Sequence, residues 1–573
     1  MGLFDALKDP SAARLRKAGM GIPGYFASVH RQCPDCIHGA PPSGVSRLFV
    51  DYNCLVHTCV TAIGRQGEGA AAEGAAEGGA AAGGAADKAI IRASLASLEQ
   101  LIAAVGSAES GRDGQKTLTV YVAADGLPPV AKMAQQRRRR FASRMLSDAS
   151  DDAVTAWDRN RITPGTAFAR DLDAATHAFC KASRNNVCIE YSGTDEPGEG
   201  EHKIVQLIRD GRVPGRDVIY GLDADLIILS MLLGSEREAS AAGGYPWLCR
   251  ESTTSLPRGE EHRGTSSFWY VDVAALACRV IGSADHGIGT IDRRSVLNHV
   301  ACSFLCGNDF LPHLSFLTVR GGWPQRCTQL AGDLQPLMRA SGDVDWDGVL
   351  ALLERLLPME DAEMARLDAV YWAAVRQAQR PRQRADRDRE QPSPSLTHPD
   401  DRHRAIRPGT PCWRLRYYAQ LFGVVDAAEI KNVALEYAMG LQWNADYYSG
   451  QMRQTDKTAA WPYWHYPHAY GPTVADLRNA VLLHRHEITA MARGRPRVEL
   501  RAWQHLAAVM PLANADLVPP EGRAYMRDPA LGMLHQYPSA CRLATYLRHR
   551  AWECEPMLPP MRVPGVRVRV AAT

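Results

Sequence analysis

The chain has 573 residues, 46% of them hydrophobic and 23% charged, with a formal net charge of +3. That is enough chain for two or more domains around a large core, and too little net charge to mark a polyanion-binding protein by bulk electrostatics. Its 14 cysteines follow no disulfide framework, and no signal peptide or apolar stretch of membrane-spanning length is apparent, which points to a reducing intracellular compartment and away from secreted and membrane classes.

The opening MGLFDA lacks the Ser or Thr that a myristoylation signal has at its sixth position, so no lipid anchor is expected. Cys33 and Cys36 form the only CxxC. Even with His38 they lack a second ligand pair for zinc and read as small buried hydrophobes. Apolar runs then alternate with helical patterns: RLFVD at 47–51, LTVYVAAD at 118–125, VCIEY at 187–191 and VIYGLDAD at 218–225. This predicts an α/β domain with a buried, mainly parallel sheet. Between the first two strands, residues 66–88 are nearly all Gly, Ala and Glu and read as a flexible insertion.

Three of these strands run into aspartate: Asp51, Asp125 and Asp223. Sites in open parallel sheets form beyond the carboxyl ends of the strands, so the three acids should converge. Four more join them: Glu199 and Glu201 in PGEGEHK, opening a helix with apolar face Ile204, Val205, Leu207 and Ile208, then Asp225 beside Asp223 in GLDADL, and Asp309 in FLCGNDFLPHL. Acids in a first helical turn also complement the helix dipole, but that accounts for one acid, not seven. Hard oxygen ligands in such number select Mg²⁺ or Mn²⁺, with two ions roughly 3.5–4 Å apart suited to phosphodiester cleavage.

After Asp125, GLPPVAKMAQQRRRRFASRM predicts a helix entered through Pro128 and Pro129. Lys132, Gln136, Arg139 and Arg140 share one face, suited to holding a phosphate, while Arg137 and Arg138 fall off that stripe and read as solvated. His57 is a candidate base-stacking ring. Residues 376–411, charged and proline-rich, read as a linker, followed by an aromatic-rich second domain. Its Trp443, Tyr447, Tyr448, Trp461, Tyr463, Trp464, Tyr466 and Tyr470 read mostly as packing, with one tryptophan free to complete a clamp with His57.

These blocks together resemble the XRN family of 5′→3′ exoribonucleases. MGIPGYF, VDYNCLVH, ADGLPPVAKMAQQRRRRF, ITPGTAF, SGTDEPGEGEHKI, IYGLDADLIIL and FLCGNDFLPHL are similar to its first conserved region, in order. GLQWNADYYSG, WHYPHAYGP, VMPLANADLVPP, MRDP, YP and WECEPMLPP are similar to its second. The resemblance implies a PIN/FEN-like nuclease core with a twisted, mainly parallel sheet flanked by helices over 20–375, and a smaller, mostly helical domain over 412–573. It implies divalent metal, two Mg²⁺ or Mn²⁺ ions, held by Asp51, Asp125, Glu199, Glu201, Asp223, Asp225 and Asp309. It also implies a 5′-phosphate pocket of Lys132, Gln136, Arg139 and Arg140, with His57 and either Trp461 or Trp464 stacking on the first base. The implied activity is processive release of 5′-mononucleotides from single-stranded RNA bearing a 5′-monophosphate, by a monomer with no membrane partner.

Nineteen residues precede Met20, where the first motif opens. Either translation starts at Met20 or this extension is routed away from the site, and the chain stops soon after WECEPMLPP, without long carboxyl-terminal additions. The carboxylates alone fit DNA or RNA and an internal or terminal cut. A flap-type DNA nuclease and an RNA-binding scaffold without catalysis are the alternatives.

Overall fold

The computed structural model describes residues 26, 33–70, 79–106, 118–147, 157–182, 186–211, 215–239, 244–251, 268–282, 292–380, 393–452, 459–531 and 533–566. Its centre is a seven-stranded sheet of β1 (Ile37–His38), β2 (Val45–Asp51), β3 (Leu118–Ala123), β4 (Val187–Ser192), β5 (Arg216–Tyr220), β6 (Trp247–Glu251) and β7 (Phe268–Asp272). The spatial order is β1-β7-β6-β5-β2-β3-β4. The run β6-β5-β2-β3-β4 is parallel, whereas β7 is antiparallel to β6 and β1 to β7. Central β2 carries the continuous run Leu48, Phe49 and Val50, buried on both faces, while edge strand β4 exposes Cys188 and Glu190 in alternation.

One face is covered by α1 (Tyr52–Ala70), α2 (Gly79–Gly106) and, after α3 (Val130–Ser147), by α4 (Ala167–Lys181), around Leu55, Val56, Leu98, Leu101 and Phe168. The other face takes α3, α5 (Gly200–Asp210), α6 (Asp225–Ala239), α7 (Val273–Ile281) and α8 (Arg293–Leu305). This second core does not end at a domain edge. It continues through α9 (Trp323–Leu330), α10 (Trp346–Ala378), α11 (Trp413–Leu421), α12 (Ala427–Tyr448), α13 (Val474–His484), α14 (Ile488–Arg493), α15 (Ala502–Val509) and α16 (Pro520–Arg527) as one apolar cluster.

Several sequence expectations differ from what is observed. Within 66–88, residues 66–70 finish α1 and 79–88 begin α2, as alanine's helix propensity favours; 71–78 lie outside the described residues. Asp87 fastens that helix by accepting from Trp157 Nε1 at 2.7 Å and from Arg161 at 2.5 Å. The stretch Gly84–Gly106, at a mean hydropathy of 1.4, is long and apolar enough by composition to cross a membrane, contrary to the sequence reading. Its alanines raise the hydropathy, and Ile90, Leu98, Leu101 and Val105 pack it on the sheet. Of the stretch read as a linker, 376–378 belong to α10, 381–392 lie outside the described residues, and beyond them Ser395, His403 and Ile406 are buried.

Candidate active site

Each acid is placed by a chain reversal at one edge of the sheet. Asp51 is the last residue of β2, Asp125 lies just beyond β3, and Asp223 lies beyond β5 in the loop that Asp225 closes by opening α6. Glu199 occupies the N-cap position of α5, with Glu201 in its first turn, and Asp309 follows α8. Six of the seven are buried at 3–7% exposure, and Asp125 is half-buried.

Glycines allow this crowding. A Cβ on Gly126 would lie 1.7 Å from the Glu196 carbonyl, and one on Gly200 would lie 2.7 Å from that of Ala123. The loop carrying Glu199 therefore lies directly on the loop carrying Asp125, and Gly200 N–H donates to Asp125 Oδ1 at 2.7 Å. Ligand atoms of Asp51, Cys54 and Asp223 lie within 4.8 Å of one another, as do those of Glu199, Glu201 and His202.

The electrostatic consequence follows from burial. Removal from water, then the neighbouring carboxylates, push Asp51 and Asp225 up to about 8. Burial pushes Asp223 up to about 7 against the pull of Lys132, and raises Glu199 and Glu201 as well. Asp309 behaves in the opposite way. Burial works against its charge, but Lys132 Nζ at 2.8 Å and Arg139 Nη2 at 3.0 Å hold it well below the ordinary carboxylate range. Glu201 Oε2 and Asp223 Oδ1 are buried with no hydrogen-bond partner among the described residues. Unpaired carboxylate oxygens inside a cluster made mainly of carboxylates fit a hard divalent cation, which would meet the charge that the protein leaves uncompensated.

Hydrogen-bond donors that the sequence reading did not assign complete the site. Asn53 Nδ2 donates to Asp125 Oδ2 at 2.9 Å, and Asn53 Oδ1 accepts from Asp125 N–H at 3.1 Å. From the far end of α12, Tyr447 Oη donates to Glu199 Oε1 at 2.6 Å, and Tyr448 hydrogen-bonds Asp225. His202 stacks on Tyr447 with ring centres 3.7 Å apart. Lys203 Nζ donates to the Ala124 and Gly193 carbonyls at 2.8 Å each, and Arg250 donates to Leu222 O at 2.5 Å, steadying the loops that bear Asp125 and Asp223. The YY doublet was visible in GLQWNADYYSG, but nothing local in it distinguishes a packing tyrosine from one that reaches a carboxylate.

The basic face lies on α3. Lys132 is buried between Glu199 and Asp309 as their counter-ion. Arg139, with a side chain 42% exposed, pairs with Asp309. Arg140 Nη2 donates to Thr163 Oγ1 at 2.8 Å while its Nη1 is buried without a partner, and Gln136 Oε1 lies 2.8 Å from His505 Nε2. His57, half-buried on α1, is pushed down to about 4 by burial and then by Arg159, Arg140 and Arg139, so its ring is neutral beside that face.

Arg137 and Arg138 are not solvated. Arg137 is 3% exposed and donates to Pro559 O at 2.7 Å and Gln536 O at 2.5 Å, while Arg138 pairs with Glu555 at 3.2 Å. The face they occupy looked free only because the carboxyl-terminal segment that covers it is remote in sequence. Both candidate tryptophans are buried. Trp461 Nε1 donates to Leu127 O at 3.1 Å, at the loop after Asp125. Trp464 Nε1 donates to Glu436 at 3.2 Å, and its ring packs against Trp443 and Gly440. Neither ring contacts His57 among the described residues.

Two family models match: "XRN 5'-3' exonuclease N-terminus" over residues 20–238 and "Xrn1 helical domain" over residues 358–562. The chain belongs to the XRN family. Curated XRN relatives include the 5'-3' exoribonuclease 2 homolog of Drosophila melanogaster, 24% identical over 77% of this chain and 59% of that protein. The 5'-3' exoribonuclease 1 of Homo sapiens is 24% identical over 77% of this chain and 28% of its own length. That of Schizosaccharomyces pombe is 31% identical over 35% of this chain and 17% of its own length. The chain thus spans less than two thirds of the length of these XRN relatives. The first XRN match contains six of the seven acids and the whole basic helix face, and the second contains Tyr447, Tyr448 and His505.

Proposed function

We propose that the protein is a Mg²⁺- or Mn²⁺-dependent 5′→3′ exoribonuclease that removes mononucleotides from single-stranded RNA bearing a 5′-monophosphate. The observation that carries this reading is the abutment of two opposite sites: seven clustered carboxylates, five of them pushed up by burial, directly beside the Lys132 helix face and joined to it through Asp309. An acid cluster alone suits any phosphodiesterase. An acid cluster whose wall is a face of Lys, Gln and two Arg suits one that cuts at a fixed distance from a terminal phosphate.

Asp51, Asp125, Glu199, Glu201, Asp223, Asp225 and Asp309 would hold the divalent ions. When bound, these ions supply the Lewis acidity and charge neutralisation that phosphodiester hydrolysis requires. The chain's own residues do the rest. Arg139 and Arg140 present guanidinium donors to the end phosphate, Gln136 adds a neutral donor, and the neutral ring of His57 offers a face to the first base. Lys132 offsets the carboxylates at the boundary between the two sites.

The test is a time course on one 3′-labelled RNA carrying a 5′-monophosphate, 5′-triphosphate or 5′-hydroxyl end, with Mg²⁺ or Mn²⁺ present. Shortening from the 5′ end of the monophosphorylated RNA alone is the expected outcome. Faster cleavage of a branched DNA flap than of that RNA would refute the proposal.

A further inference from the structure

Resting on that reading of the Lys132 helix face, we infer that His505 is a positioning residue that fixes which way the Gln136 amide points, turning its NH₂ group toward the terminal phosphate. His505 lies on α15, which packs across α3. It is completely buried, and its Nε2 is 2.8 Å from Gln136 Oε1 while its Nδ1 has no hydrogen-bond partner among the described residues.

A neutral imidazole carries one N–H, on either nitrogen. Burial, then the nearby Arg140 charge, keep this ring neutral. With the hydrogen on Nδ1, a buried donor would be left unpaired and two lone pairs would face each other between Nε2 and Oε1. With it on Nε2, the N–H donates to Gln136 Oε1, and the lone pair left on Nδ1 sits in the positive field of Arg140. The second arrangement leaves no buried donor unmet. An amide flip would set NH₂ against N–H, and could be relieved only by returning the hydrogen to Nδ1.

The consequence concerns the outer end of the amide. Its oxygen is occupied by His505, and Gln136 Nε2 has no protein acceptor among the described residues. Arg140 Nη1, one residue beyond Arg139 on the same face, is also buried without an acceptor. These unmet donors on neighbouring turns of α3 suit a tetrahedral oxyanion. A flipped Gln136 would instead present a carbonyl oxygen to it, which repels a phosphate. On this argument the second region of the chain contributes to end selection without touching the RNA.

The experiment uses the full chain and one short RNA in 5′-phosphorylated and 5′-hydroxyl forms. Binding is read by fluorescence anisotropy in chelator, and kcat and KM are read with Mg²⁺. His505→Leu should reduce the preference for the phosphorylated end about tenfold, by raising KM with kcat unchanged, the size expected for one hydrogen bond to a charged group. His505→Gln, which retains a donor, should restore most of it. Gln136→Leu should match His505→Leu, and the double variant should be no worse than either single one. A wild-type preference in His505→Leu or in Gln136→Leu would overturn the inference, as would additive losses in the double variant. If His505→Leu does not fold, Gln136→Leu and His505→Gln decide: loss in the first and retention in the second support the inference. An unsubstituted protein that binds both ends equally would overturn the phosphate-pocket reading itself, and the inference with it.

Discussion

The acid cluster and the basic face of α3 are neighbours built on opposite principles. In the cluster, like charges are buried together, three carboxyls are pushed up to about 7 or 8, and two oxygens lack any partner. On α3 the polar groups are mostly answered from within the protein: the cations Lys132 and Arg139 by Asp309 and Arg140 by Thr163, and the neutral Gln136 by His505. The first region would be completed by an external cation. The second is held ready by the chain and keeps only a few donors free. On the proposed function the two differ in this way because a metal ion can organise loose ligands, whereas discrimination between ends requires donors fixed in advance.

The largest expected effect comes from breaking the cluster. Asp223→Ala or Asp225→Ala should lower turnover by at least about 10³-fold, comparable to removing a key electrostatic stabiliser of a transition state, with the fold intact by circular dichroism. Undiminished turnover in either purified variant would remove the metal-site assignment. On the basic face, Arg139→Ala should reduce the ratio of 5′-monophosphate to 5′-triphosphate turnover by about tenfold while leaving a metal-dependent nuclease, since one bidentate donor is lost.

A smaller effect should appear in stability. Asp223 has a folded value near 7, above its unfolded value, so its contribution is fully present below roughly pH 4 and is lost as pH rises through 7. In chelator, Asp223→Asn should therefore melt at nearly the wild-type temperature at pH 4 and several degrees higher at pH 8, with Mg²⁺ narrowing the gap by stabilising the wild type. A gap that does not change with pH would mean that the cluster is not under charge strain. The smallest effect is expected from Tyr447→Phe, which deletes one hydrogen bond to Glu199. A shift of a few-fold in the Mg²⁺ concentration giving half-maximal activity is expected, about 1 kcal/mol for a single neutral donor.

Much of this arrangement was legible in the chain. β2, β3 and β5 end at or near Asp51, Asp125 and Asp223 because fully buried parallel strands must read as continuous apolar runs, and the residues that follow them necessarily face the sheet edge. The i, i+4, i+7, i+8 spacing put Lys132, Gln136, Arg139 and Arg140 on one face for the same geometric reason. What was not legible depends on contacts between distant segments. Arg137 read as solvated because nothing near it in sequence shows that the carbonyls of Gln536 and Pro559 cover it. Tyr447 and Tyr448 read as packing, since their reach to Glu199 and Asp225 exists only once α12 crosses the sheet edge. The supposed linker misled for a related reason: charge and proline describe its middle, but Ser395 and His403 are buried and Ile406 joins a core contributed by other helices. Composition likewise overstated the separateness of α2, whose alanines suggested a flexible insertion at one end and yield a tightly packed helix at the other.

The side chains supplied by α12 and α15 come late in the chain. A nascent chain extended only through Asp309 already contains all seven acids and the entire basic face, yet Tyr447, Tyr448 and His505 are still to be made. Until they arrive, Glu199 and Gln136 lack these hydrogen-bond partners, and the apolar surface of α6 and α8 lacks the helices that cover it. The half that carries the acids is thus synthesised before the residues that complete their hydrogen bonding.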